Sequence, residues 1–212
     1  MSNKAKIHLS KQELELVSNK EWLFTKQLII DKVYHLFGEL HQRYRLIVEE
    51  EKQFLPFEFQ KPGGKISKGE NYNGLPFLIL DYPAMFSKEN IFAVRTMFWW
   101  GNFFSIALHL SGKNYRDGKN ISQWLSFFQQ KNYYISVNEN EWEHDFHASN
   151  FIDIKAINEK QLKNIVKKDF FKVSKKIELN GWNDAPEFLE LSFKEIIQFI
   201  KINFHPNGEK GL

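Results

Sequence analysis

The fold is decided by residues 91–110, which read IFAVRTMFWWGNFFSIALHL. Two runs rich in β-branched and aromatic residues, 91–100 and 103–110, flank Gly101 and Asn102, a pair typical of a tight hairpin turn. A third apolar run, residues 77–82, is followed by Pro83 and a polar turn. Because strands joined by short turns pair in opposite directions, the centre of the chain is predicted to form an antiparallel sheet.

Helical patterns lie on the amino-terminal side of this sheet. Ser10 followed by Glu13, and Ser18 followed by Glu21, are capping-box patterns that predict helix starts. Residues 19–52 carry apolar side chains at spacings of three and four, which places them on one helical stripe. The stripe consists of Ile30, Val33, Phe37, Leu40, Tyr44 and Ile47. We expect a long helix packed on the core; the alternative is a helix-to-helix homodimer seam.

Downstream patterns alternate between helix and strand. Residues 61–74 are predicted to be a loop because of their glycines and Pro62, and residues 54–59 an extended segment. Helices are predicted at 121–130, 158–168 and 185–203, strands at 133–137 and 170–179, and a polar tail at 205–212. Strands in the middle with helices at both ends predict an α+β fold, a mainly antiparallel sheet with helices packed on it, in a single domain over residues 1–212. A doubly wound parallel sheet is the alternative.

Composition excludes several classes of protein. The chain has 212 residues, 42% of them hydrophobic and 16% aromatic, which is enough for a bulky core and argues against disorder. It has no cysteine, so disulfides and cysteine-ligated metals are excluded. No signal-peptide pattern or membrane-spanning apolar run is present, which predicts a cytoplasmic protein without a membrane partner. A net charge of +3 is too small to argue for nucleic acid by itself.

Polar residues within the predicted strands are the first candidate site. Strand alternation places Arg95 and Trp99 on one sheet face with Ser105 and His109, while Phe104 and Ile106 face the core. His109 with Ser105 could perform acid–base chemistry, and Arg95 could clamp a carboxylate or phosphate. The alternative is a face that is exposed, or covered with its polar groups satisfied.

The second candidate is the segment EWEHDFH at residues 141–147. Two histidines three residues apart, His144 and His147, could bind a metal ion with Glu143 or Asp145. A metal-bound water would then make the protein a metal-assisted hydrolase. His109 with Asp81 is another arrangement for an enzyme, and a solvated loop is the simpler interpretation of the segment.

A third candidate is the basic stretch at residues 155–176, which contains eight lysines together with Phe170 and Phe171. Lysines interleaved with aromatic residues could bind a nucleic-acid backbone. The stretch spans a predicted helix and a predicted strand, so its lysines need not share a face, and a solvated surface is the alternative.

Two pieces of the chain, GKISKGENYNGLPFLILDYP and IFAVRTMFWWGNFFSIALHLSG, resemble a group of uncharacterised bacterial proteins that have no assigned activity. The resemblance covers mainly residues 65–112. It implies a bacterial cytoplasmic source and a compact α+β fold, and it implies no catalytic residues.

The sequence favours a non-catalytic binding or accessory protein that presents an aromatic-lined sheet face or pocket to a small molecule or a protein partner. The ligand-binding residues expected from the residue patterns are Tyr72, Asp81, Tyr82, Arg95, Trp99, Trp100, Ser105 and His109. No cofactor is predicted. The alternatives are the metal-assisted hydrolase and nucleic-acid binding through residues 155–176, and a homodimer through the 19–52 helix is the expected assembly if there is one.

Overall fold

Among the described residues, seven antiparallel strands form one sheet in the order β1-β2-β3-β4-β7-β5-β6. The computed structural model describes residues 7–56, 59, 63–112, 115 and 120–204. The strands are β1 Lys65–Tyr72, β2 Leu75–Phe86, β3 Ile91–Trp99, β4 Phe103–Ser111, β5 Tyr134–Ser136, β6 Phe151–Asp153 and β7 Phe170–Glu178. The three predicted central strands are β2, β3 and β4, and the hairpin between β3 and β4 turns at Gly101, whose φ is 70°.

The predicted loop at residues 61–74 is wrong for most of its length, because Lys65–Tyr72 is the edge strand β1. In the described part of the chain this strand pairs with β2 alone, and none of its residues is buried, so it lacks the apolar alternation that marks a half-buried strand. Gly69 suggested a loop, but a Cβ at this position would lie 2.3 Å from the ring of Phe77. The glycine therefore makes room for an aromatic ring.

Five α-helices lie among the described residues: α1 Lys11–Ser18, α2 Lys20–Glu51, α3 Ile121–Gln129, α4 Glu159–Lys167 and α5 Ala185–Asn203. The Ser10–Glu13 capping box is confirmed at the start of α1. The second box is wrong by one residue, since the Asn19 side chain, not that of Ser18, accepts a hydrogen bond from the Trp22 N–H and caps α2. A 3-10 turn, Lys52–Phe54, follows α2 and includes Phe54, the first residue of the predicted extended segment 54–59, of which residues 57 and 58 lie outside the described residues. The predicted tail at 205–212 lies outside the described residues.

The helices cover one face of the sheet and form the main core with it. The α2 stripe is buried as predicted, with Val48 in place of the half-buried Ile47. Tyr44 joins three elements: its hydroxyl lies 3.2 Å from Thr96 Oγ1 in β3, donates to the Leu189 carbonyl oxygen in α5, and its ring stacks on Phe193 at 3.8 Å. The fold is therefore α+β, as predicted.

One core cluster contains residues from Val33 in α2 to Ile200 in α5. The prediction of a single domain over the whole chain stays a prediction. None of the helices in the described parts of the chain combines the length and apolarity that crossing a bilayer requires.

Phe37→Ala tests the packing of α2. Phe37 is fully buried, so the truncation leaves a cavity and should lower the free energy of unfolding by about 3–5 kcal/mol in urea denaturation. Leu46→Ala in the same helix removes an exposed side chain and should change it by less than about 0.5 kcal/mol. Equal effects of the two substitutions would contradict the assignment of the buried stripe.

Candidate functional site

The sheet face opposite the helices is covered by an irregular segment. Residues 137–150 connect β5 to β6 and are here called the strap. The strap begins and ends at one point, since the Val137 N–H donates to the Asn150 carbonyl oxygen at 2.8 Å. Loops of this length without regular structure are uncommon in compact domains and usually carry a function. We therefore expect a functional site at or next to the strap.

The structure brings together six of the eight predicted ligand-binding residues beneath or beside the strap. Ile79, Met97, Trp99 and Phe103 pack there with Phe146 of the strap, so this face is filled rather than open. The six residues are Tyr72, Asp81, Arg95, Trp99, Ser105 and His109, and all except Tyr72 and Arg95 are fully buried.

Tyr82 and Trp100 lie on the helix-covered side instead. The Tyr82 ring packs edge-on against His41 of α2, and the Trp100 ring packs against Phe98 in the main core. Because successive strand residues point to opposite faces, neither can share a site with its neighbour Asp81 or Trp99.

Arg95 links the sheet to the strap. It forms a two-bond salt bridge with Asp81, directly opposite on β2, at 2.8 and 3.0 Å. Its guanidinium carbon lies 5.4 Å from the Phe86 ring centre and 6.0 Å from that of Trp142 in the strap. Its Nη1 also lies 3.1 Å from His144 Nε2. Three of the five N–H groups of Arg95 are thus directed at Asp81 and His144, so Arg95 connects β2, β3 and the strap.

Lys172 is the central support of the strap. It lies on β7 opposite His109 and is buried, with Nζ 2.7 Å from the Glu141 carbonyl oxygen and 2.6 Å from that of Glu143. Its third neighbour is His144 Nδ1 at 3.3 Å. Burial, together with the nearby Arg95, lowers the pKa of Lys172 to about 7.

The hydrogen-bond pattern favours one protonation state of this pair. Arginine can only donate, so His144 Nε2 accepts from Arg95 and the neutral ring carries its hydrogen on Nδ1. Burial lowers the pKa of His144 well below its ordinary value, which keeps the ring neutral. The Nδ1 hydrogen points at Lys172, whose amine can accept it only when uncharged. A neutral amine then donates its two hydrogens to the two carbonyl oxygens, so every position of Lys172 is satisfied.

Tyr72 serves the N–H groups of the strap backbone, whereas Lys172 serves its carbonyl groups. Its hydroxyl oxygen accepts from the N–H groups of His144 and Asp145 at 2.7 and 3.0 Å. Its own hydrogen faces the carboxylate of Glu143 at 3.1 Å. Lys168 acts as Lys172 does and donates to the Asn138 carbonyl oxygen at the start of the strap. Sheet side chains therefore replace the hydrogen bonds that an irregular backbone cannot make with itself.

His109 pairs with the strap residue Glu141, whose Oε2 lies 2.9 Å from His109 Nε2. Burial lowers the pKa of His109, and the bond from His109 lowers the pKa of Glu141. Both shifts favour a neutral imidazole that donates to an ionised carboxylate. Ser105, on the same face, is buried, and it makes no contact with this pair among the hydrogen bonds of the described residues.

Beside this pair a cleft of about 500 Å³ opens to solvent. We call it the acidic cleft, and its wall contains Glu89, Glu139, Glu141, Asp169, Trp142 and Phe170. Gly112 brings Glu89 to it: its φ is 67°, and a Cβ there would lie 1.9 Å from the Glu89 carbonyl oxygen. Only glycine permits this approach of the β2–β3 turn to the end of β4.

The four predicted metal ligands are used in other ways. Glu143 bonds to Tyr72 and Asn140, and Asp145 accepts from Asn73 and Asn150. His144 lies half-buried between Arg95 and Lys172, and His147 is exposed and bonds to Ser149. Within the described part of the chain, no group of three or more His, Cys, Asp or Glu residues is placed to hold a metal ion. The structure does not bring these four residues together as a metal site.

The basic stretch is divided between several surroundings. Lys160, Lys163 and Lys167 lie along α4. Lys168 and Lys172 support the strap, whereas Lys175 pairs with Glu195 and Lys176 pairs with Glu178. The stretch therefore does not form one basic face.

Sequence reasoning missed Lys172 and the carboxylates of the acidic cleft. Lys172 carried a usable signal, because it stands between Phe171 and Val173 in a strand and so must lie on the face opposite them. Glu89, Glu141 and Asp169 come from three separate connections, and no sequence spacing relates them.

Comparisons with known proteins add no relative: no family model, no curated protein and no solved structure matches this chain. The resemblance of residues 65–112 to uncharacterised bacterial proteins stays a prediction.

Lys172→Met tests the buried amine through the pH dependence of stability. The pKa of Lys172 is about 7 in the folded protein and about 10.4 in an unfolded chain. Between these values the unfolded state binds more protons, so raising the pH should stabilise the wild type relative to Lys172→Met. Urea denaturation between pH 7 and 9.5 should show a difference that grows by up to about 1.4 kcal/mol per pH unit.

The matched control is Lys194→Met, which removes a half-exposed lysine of α5. A stability difference between wild type and Lys172→Met that stays flat, or falls, as the pH rises would contradict the neutral amine. The slope remains informative even if Lys172→Met is destabilised overall, because only its change with pH is compared.

Proposed function

We infer that this protein is a non-catalytic binding protein that recognises a small organic cation in the acidic cleft. The observation that carries the proposal is the composition of the cleft wall, in which four carboxylates surround two aromatic rings. Carboxylates attract a cation by charge, and the faces of aromatic rings attract it through their quadrupole. The two attractions act together on an ammonium or guanidinium group.

Among the described residues, nearby cations leave this negative charge largely uncompensated. Arg95 is held by the two-bond salt bridge to Asp81, so its charge is already balanced. Lys168 donates to the Asn138 carbonyl oxygen, with its Nζ 4.7 Å from the Phe170 ring centre. Within residues 7–56, 63–112 and 120–204, a single partly shared lysine does not balance four carboxylates, which supports a cationic ligand over an anionic one.

The wall is also rigid before any ligand arrives. His109 fixes the Glu141 carboxylate, Lys172 fixes the Glu141 carbonyl group, and the Trp142 ring packs edge-on against His109 at 5.5 Å. Binding then costs little ordering of side chains, which favours affinity for a small molecule. The volume of about 500 Å³ lies in the range of small-molecule sites.

A non-catalytic role is favoured over an enzymatic one by how the reactive groups are used. His109 and Lys172 are buried and His144 is half-buried, and their hydrogen-bonding atoms are directed at Glu141, Arg95 and the strap backbone. These groups therefore support the cleft wall and do not face the space where a substrate would lie.

Thermal unfolding and calorimetry with choline, putrescine and agmatine test the proposal, with glutarate as the anionic comparison. At least one of the three amines should raise the Tm of the wild type, because a ligand that binds only the folded state stabilises it. Glu141→Gln keeps an oxygen for His109 but removes the charge, and should weaken amine binding about tenfold or more. Added salt should weaken binding as well.

Glu50→Gln is the matched control, because it removes an exposed carboxylate on α2, away from the cleft, and should bind the amines as the wild type does. Asp169→Asn provides a second cleft variant that leaves the His109 bond untouched. If no amine shifts the wild-type Tm, or if glutarate shifts it more than the amines, the proposal is wrong.

A further inference from the structure

The first two helical segments form an arm that takes almost no part in the core. Helix α1 has no buried residue, and the first buried residue of α2 is Ile30. We call residues 7–29 the arm. Ten residues of α2 belong to it, a length of about 15 Å of helix. The arm is therefore a projection from the α+β body rather than a part of it.

The arm exposes an unusual amount of apolar surface. Nine large apolar side chains in it have exposed fractions between 41% and 81%, and the rest of the described chain has five residues in this range. They are Ile7, Leu9, Leu14, Leu16, Val17, Trp22, Leu23, Phe24 and Leu28. Together they expose on the order of 1,000 Å² per chain, far more than scattered single residues would.

The apolar residues do not lie on one side of the helix. At 100° per residue, Trp22 and Leu23 continue the direction of the buried α2 stripe, whereas Phe24 and Leu28 point the opposite way. A helical segment that is apolar on opposite faces is normally buried all round. The described residues of the chain cover neither face, so we infer that both faces meet a partner.

We propose that the partner is a second copy of this chain, joined through the two arms about a twofold axis. Two arms bring together four short helical segments, α1 and the start of α2 from each copy, and so can cover both faces in a small helical cluster. A symmetric pair would bury roughly 2,000 Å² in total, the area that stable dimers use.

Charge favours a second copy over a lipid surface. The arm contains Lys11, Lys20 and Lys26 against Glu13, Glu15 and Glu21, so its net charge is zero. Helices that lie on membranes carry a lysine- and arginine-rich polar face, which this arm lacks. A balanced set of charges suits contact with itself, because each lysine can meet a glutamate of the other copy.

This assembly differs from the seam expected from the sequence. The Ile30–Val48 stripe of α2 packs on the core and cannot form an interface, so the contact shifts to the part of the helix before Ile30. The inference is independent of the acidic cleft, which is built from the strap and the ends of β4 and β7.

Light scattering coupled to size-exclusion chromatography tests the proposal on the full chain. The wild type should elute at twice the chain mass of 25.3 kDa, with dissociation on dilution. The double variant Phe24→Glu with Leu28→Glu should elute at the single-chain mass and keep a folded circular dichroism spectrum with cooperative unfolding, because neither residue contributes to the core. The matched control, Leu191→Glu with Ile202→Glu, replaces exposed apolar residues of α5 and should remain a dimer.

Cysteine cross-linking gives a second, independent measurement, because the chain has no cysteine of its own. Single substitutions at Leu16, Phe24 and Leu28 should produce at least one oxidised dimer in gel electrophoresis, whereas Leu191→Cys should not. A wild type that stays at the single-chain mass in concentrated solution, without arm cross-links, would overturn the proposal. Binding of that monomer to phosphatidylglycerol vesicles would assign the arm to a lipid surface instead.

Discussion

Burying an irregular segment against a sheet requires a hydrogen-bond partner for each backbone polar group that water no longer reaches. The strap meets this requirement with side chains from the sheet and its edge. Lys172 serves two of its carbonyl groups, Lys168 serves a third, and Tyr72 serves two of its N–H groups. The cost of leaving these groups unpaired explains why polar residues stand inside strands that are otherwise apolar and aromatic.

The position of the proposed site follows from this arrangement. Because Arg95, His109 and Lys172 are used to hold the strap, the covered face is not available to a ligand, and the accessible space lies at its margin. There the same contacts turn Glu141 and Trp142 toward the acidic cleft. The buried network and the cleft therefore share residues: the network holds them in place, and the cleft presents their charge and aromatic surface.

The two parts of α2 lie in different surroundings, one packed on the core and one exposed. From Ile30 onward its apolar stripe is satisfied by the sheet and α5, with Tyr44 as the central contact. Before Ile30 the helix continues past the body with apolar residues on opposite faces and no cover within the described chain. The start of the helix is set by local capping at Asn19, whereas burial of its side chains begins only at Ile30.

The sequence by itself determined the α+β class, the hairpin around Gly101, the long helix and its buried stripe, because these depend on periodicities of two and 3.6 residues and on local caps. It also placed Arg95, Ser105 and His109 on one face. It did not reveal the edge strand β1, whose exposed residues do not alternate, or the acidic cleft. Those were decided only by tertiary structure, because Glu89, Glu141 and Asp169 come together through the folding of separate connections. A polar residue within a strand also gives the same sequence pattern whether its side chain binds a ligand or a buried loop.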